Sequence, residues 1–141
     1  MDSRELLLDV YQNSEIAREI IGRMIKRCEF PAMRKCLADQ FAEYHMICED
    51  AKAGLYERGA IPKTISKSRR HIMFSAMRLN LKIDRTPSHM AEMLMQGSIL
   101  GIIDISKALT MNANADEYSK ELAQKLIKTE ENNILKMRDF L

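Results

Sequence analysis

Apolar residues recur along the chain at intervals of three and four, in four long runs and one short one, which is the period of helices with one buried face. The first run is Leu7, Val10, Ala17, Ile21, Met24 and Cys28, with Ser14 in its middle. It predicts a helix over Ser3–Cys28, opened by Asp2-x-x-Glu5 as a capping box. The second run is Met33, Leu37, Phe41, Tyr44, Cys48, Ala51 and Leu55. Pro31 suits the first turn of that helix and Gly59 suits its end, so it is expected over Pro31–Arg58. Two or three residues of connection make these helices antiparallel neighbours.

Between Pro62 and Pro87 the pattern shortens to an amphipathic helix within Ser66–Leu81, with Ile65, Ile72, Met73, Ala76 and Met77 expected inward and basic residues outward. A segment of that length can cross a bundle from end to end. A third long helix is expected over Ser88–Met111, followed by a turn at Asn112–Asn114. Asn114-x-x-Glu117 reads as the cap of a fourth, over Ala115–Phe140. The third helix is apolar on nearly every side: Met90, Leu94, Ile105 and Leu109 on one, Ile99 and Ile103 on another. Such a helix needs more than one cover, and the crossover helix and a second subunit are the candidates. The fold expected is a single all-α domain over residues 1–141, an antiparallel four-helix bundle with a long crossover containing a short helix.

Composition narrows the function classes. The 141 residues are 46% apolar and 30% charged, which is globular rather than disordered. Cys28, Cys36 and Cys48 form no CxxC pair, so they are expected as reduced thiols in a cytoplasmic protein. MDSRELLLDV has neither a basic n-region nor a long apolar core, so it is not expected to be a signal peptide. The most apolar stretch, Met93 to Ile103, contains Gln96 and is too short to cross a bilayer. The net charge of +2 conceals a local excess: Lys63, Lys67, Arg69, Arg70, Arg78, Lys82 and Arg85 face Asp84 alone between Ala60 and Pro87.

The segment Ser68-Arg-Arg-His71 … Leu79-Asn-Leu-Lys82 … Leu94-Met-Gln-Gly97-Ser98 … Ala108-Leu109 resembles a bacterial ferritin-like family of unknown function. That family has a short crossover helix and then a Gly-Glu on its third helix. The first half, ending in Leu55-Tyr-Glu-Arg-Gly59-Ala, is similar to the helix hairpin of spore-coat and rubrerythrin-type bundles. The resemblance implies the ferritin-like fold and, in principle, a di-iron site with a Glu from each of two helices and a Glu-x-x-His from each of the other two.

The residues at those positions do not supply the ligands. The first helix presents Val10, Ser14 and Ala17 inward, with Glu15 and Glu19 outside that face. The second presents Phe41-x-x-Tyr44 in place of Glu-x-x-His; Glu43 is expected to point out, and His45 lies off the stripe. The third offers Ser98 after Gly97, and only the fourth keeps a carboxylate, in Glu130-x-x-Asn133. Ser14, Tyr44, Ser98, Glu130 and Asn133 are therefore expected as a buried polar cluster, the remnant of a metal site, with no metal, cofactor or catalytic residue assigned.

His45, His71 and His89 share no ligand spacing, and neither a phosphate loop nor a Ser/His/Asp pattern is present. Gly97-x-x-x-Gly101 fits close helix packing. Lys67, Arg69, Arg70, Arg78 and Lys82, with Phe74 among them, could hold an anion, but a solvated face is the simpler reading and nucleic acid is not favoured. These features together predict a non-catalytic structural or protein-interaction protein that forms a homodimer. One alternative is a metal-binding, iron-handling or oxidoreductase protein retaining a ligand at Glu130. The other is an anion- or nucleic-acid-binding module using the basic crossover.

Overall fold

The computed structural model describes all 141 residues and is all-α, with no strand. Its helices are α1 (Asp2–Arg27), α2 (Pro31–Glu57), α3 (Lys67–Ile83), α4 (Pro87–Met111) and α5 (Glu117–Arg138). Each expected helix is present, with ends within two residues of those read from the periodicity. No helix is long and apolar enough to cross a membrane.

Two of the expected caps are replaced. Met1, not Asp2, precedes the first turn of α1, and Asp2 instead accepts a bond from the Asn114 backbone N–H at 3.1 Å. The cap of α5 is Asp116, which accepts from the Ser119 N–H at 2.9 Å, two residues beyond the Asn114 expected. Both shifts serve tertiary contacts: Ser3 Oγ also accepts from the Asp116 N–H, and Arg58 Nε donates to Asp116 Oδ2 at 2.8 Å. Gly59 closes α2 with φ +68°, a left-handed turn that a side chain would strain.

Those contacts gather the start of α1, the end of α2 and the α4–α5 turn at one end of the molecule. Consequently α1 and α5 run one way, and α2 and α4 the other. α1 packs on α2, α4 and α5, and α2 on α5, while α2 and α4 lie across the centre from each other. Leu6, Leu7, Met24, Met33, Leu37, Ile47, Leu55, Met90, Ile105, Leu126 and Met137 fill the interior. The connection from α2 to α4 must therefore travel the full length, and the 17 residues of α3 span ~25 Å at the usual helical rise.

α3 is anchored on the outer side of α1. Its buried face is Phe74, Met77 and Leu81, whereas Ile72 and Ala76, expected inward, are exposed. Two contacts fix this rotation. Arg70 forms a two-pronged ion pair with Glu19, one arm at 2.9 Å, and the Arg23 guanidinium lies 3.7 Å from the Phe74 ring centre. On α4, Ile99, Leu100 and Ile103 remain exposed.

Candidate functional site

Glu130 sits mid-way along α5 on its buried face, with only 5% of its surface exposed. Tyr44 of α2 donates its phenolic hydrogen to Glu130 Oε1, and Asn133, one turn on from Glu130, donates from Nδ2 to the Tyr44 oxygen at 3.2 Å. A chain of three side chains therefore crosses the α2–α5 interface. Burial pushes the Glu130 carboxyl up to about 8, and the neighbouring Glu43 carboxylate adds to the shift. At neutral pH the carboxyl is thus mainly protonated.

Glu43 does not point out as expected. Its Oε1 is buried without a partner, and burial raises its own carboxyl while Lys136 and Asn133 oppose that rise. α5 packs closely enough against α2 to enclose the edge of the stripe as well as its centre. Glu15 is likewise buried although it lies off the bundle face, because α3 covers that side of α1. It accepts from Tyr11 Oη at 2.7 Å and lies 3.9 Å from Arg70.

The five residues expected to converge do so only in part. Tyr44, Glu130 and Asn133 are joined by hydrogen bonds. Ser14 is buried but turns its hydroxyl to its own helix, donating to the carbonyls of Val10 and Tyr11, so it lies outside the network. Ser98 is buried on α4 and shares a cleft wall with Glu130 without bonding to it.

That cleft is the second feature of the site. It opens between α1 and α4, beside the start of α3, with a volume of about 460 Å³. Its apolar walls include Ile16, Ile20, Met93 and Leu94; Glu130, Tyr44, Gln40 and Ser98 lie along its inner part. Asp9, Asp104, Lys107 and Arg69 also line it. Burial raises the Asp9 carboxyl, and Asp104 and Glu5 raise it further. Gln40 was not anticipated from the sequence, since an amide on the edge of an apolar stripe reads as surface. It is 2% exposed, and its Nε2 has no hydrogen-bond partner.

Gly101 explains how Glu130 fits. A Cβ there would collide with Glu130 Oε2, whereas one on Gly97 would meet nothing within 4 Å. The Gly-x-x-x-Gly spacing thus serves one close approach, not two. No three His, Cys, Asp or Glu side chains gather as a metal-ligating group. His45 accompanies Arg18 at 3.0 Å, and His71 is exposed on α3. Of the basic residues, Arg70 is engaged by Glu19 and Glu15, while Lys67, Arg69, Arg78 and Lys82 are exposed. Comparison with protein-family models, curated protein sequences and solved structures finds no match to this chain.

Proposed function

We propose that this chain is a non-catalytic ferritin-like bundle whose central site has become a hydrogen-bonded polar network, and that it acts as a structural or protein-interaction module by self-association. The ferritin-like reading draws support from the helix order, two helices, a long crossover and two more, and from the directions in which the four long helices run. It draws support too from Tyr44 and Asn133 meeting Glu130 where ligands would stand.

The observation that carries the interaction reading is the outer face of α3. Ile72, Ala76, Leu79 and Ile83 recur at spacings of four, three and four, which places them in one stripe opposite Phe74, Met77 and Leu81. Ile72 is 68%, Leu79 61% and Ile83 78% exposed. A short helix with two apolar faces, one of them unpaired, is built for a second helix to pack on. The exposed Ile99, Leu100 and Ile103 of α4 extend the apolar surface available to a neighbouring copy.

Sedimentation at tens of micromolar is expected to give a dimer that Leu79→Lys converts to monomer. Pairing of α3 with itself would bring Arg78 and Lys82 near their copies, so association should strengthen as salt screens them. A partner with an acidic helix would show the reverse. A monomer at every salt concentration, unaffected by Leu79→Lys, would remove the support for self-association.

A further inference from the structure

The inner part of the cleft between α1 and α4 holds hydrogen-bond donors that nothing in the chain accepts. Gln40 is 2% exposed on α2, one turn along from Tyr44, and its Nε2 has no partner. Leaving a buried N–H unpaired costs ~1–3 kcal/mol, so the folded chain carries a penalty at this amide that its own packing does not explain. Glu130 of α5 supplies the second donor. Its Oε1 accepts from Tyr44, and its Oε2 faces Gly101 with no hydrogen-bond partner in the protein. Burial keeps the carboxyl mainly protonated at neutral pH, so the free oxygen is present as an O–H.

We infer that the cleft binds an uncharged molecule with an apolar body and a carbonyl group at one end, its carbonyl oxygen seated between Gln40 and Glu130 Oε2 and its hydrocarbon part against Ile16, Ile20, Met93 and Leu94. A carbonyl oxygen has two lone pairs and no hydrogen, so it takes one bond from each of two donors and leaves no donor of its own unpaired. The volume of about 460 Å³ lies in the range of small-molecule sites, and apolar walls around a few inner polar groups are their usual construction.

The charges around the cleft disfavour an ionic head of either sign. Asp9 of α1 and Asp104 of α4 are balanced by Arg69 of α3 and Lys107 of α4, and all but the half-buried Asp9 are exposed. Behind Glu130, Glu43 of α2 is offset in turn by Lys136 of α5. No unbalanced charge remains at the inner end to offset the desolvation of an ammonium or a carboxylate. This site is separate from the outer face of α3 and stands whether or not the chain self-associates.

Methyl pentyl ketone, hexyl chloride, heptylamine and heptanoate are similar in size and differ at the head, so they make the decisive set of probes. Titration of the full chain at pH 6, followed by amide chemical shifts and calorimetry, should show saturable one-to-one binding of the ketone. The two ions should bind about tenfold or more weakly. Gln40→Leu removes the donor at nearly constant volume, so it should weaken the ketone about tenfold while hexyl chloride, a poor acceptor, binds at least as well as before. Because that variant deletes an unpaired buried donor, its melting temperature should not fall, which separates lost binding from lost folding. At pH 9 Glu130 ionises and Oε2 stops donating, so the ketone should bind about tenfold more weakly than at pH 6. In Glu130→Gln the affinities at the two pH values should agree. Gly97→Leu begins in open space at the cleft wall and would fill it, abolishing ketone and chloride binding alike with helix content preserved. Ketone binding that is absent, no tighter than that of either ion, reduced only in step with the chloride by Gln40→Leu, level from pH 6 to 9 in the parent, or intact in Gly97→Leu would overturn the assignment.

Discussion

Glu130 is held by three other residues, each acting by a different physical route. Tyr44 supplies a donor, Asn133 orients the phenol, and Gly101 withholds the side chain that would occupy the same space. Tyr44→Phe keeps the packing but leaves Glu130 and Asn133 without their common partner, at a cost of ~1–3 kcal/mol in denaturant unfolding. The two helical glycines four residues apart should respond oppositely to alanine. Gly97→Ala meets open space and gains helix propensity, so it should stabilise by up to about 1 kcal/mol. Gly101→Ala gains the same propensity but drives a Cβ into the Glu130 carboxyl, so it should be net destabilising by about 1–2 kcal/mol. If both variants stabilise equally, Glu130 moves aside readily and the packing around it is loose.

The long helices were legible because their apolar stripes are long and bounded by strong signals: Pro31 at a helix start, Gly59 at a left-handed end. α3 was legible as a helix but not in its rotation. It carries apolar residues on two opposite faces, Phe74–Met77–Leu81 and Ile72–Ala76–Leu79–Ile83, so periodicity alone offers two answers. The choice is made by Glu19 and Arg23 on α1, which take Arg70 and Phe74, and a pairing about fifty residues apart leaves no local trace. Glu43 and Gln40 were missed for a related reason: stripe edges look polar in sequence until a neighbouring helix closes over them. The anchoring of α3 also makes a prediction. With an apolar contact limited mainly to Phe74, Met77 and Leu81, this helix should open before the other four, its amides exchanging hydrogen fastest among the helices. Arg70→Ala removes a partly exposed pair worth about 1 kcal/mol and should speed exchange over Lys67–Ile83 while leaving α1, α2, α4 and α5 protected. Uniform acceleration in all five helices would mean that α3 unfolds only with the whole domain.

At the scale of the whole molecule, the buried carboxyls set how stability varies with pH. Glu130 titrates near 8 in the folded chain against 4.5 for an ordinary Glu, so between those values the folded state holds a proton that the unfolded state has released. Stability from this group is therefore fully present below about pH 4.5 and declines as pH rises toward 8, at roughly 1.4 kcal/mol per pH unit at most. Glu43 and Asp9, both raised by burial, act in the same direction. Asp116 acts oppositely. The Arg58 guanidinium, followed by bonds from Ser119 and Ser3, holds its carboxyl well below the usual 3.8, so its contribution is present above that value and lost as pH falls through the lowered one. Asp116 is largely exposed, so that contribution is modest, about 1 kcal/mol or less. The sum is a stability maximum at mildly acidic pH, between about pH 4 and 5, with a fall of a few kcal/mol by pH 8 to 9. Glu130→Gln keeps an acceptor for Tyr44 but cannot ionise. It should match the parent chain near pH 5, exceed its stability at pH 9, and flatten most of the slope between them. Urea unfolding at intervals of one pH unit measures all three effects. A parent profile that is level from pH 5 to 9, or a variant whose slope equals the parent's, would show that Glu130 stays ionised in the folded chain and that the α2–α5 interface is wetter than its burial implies.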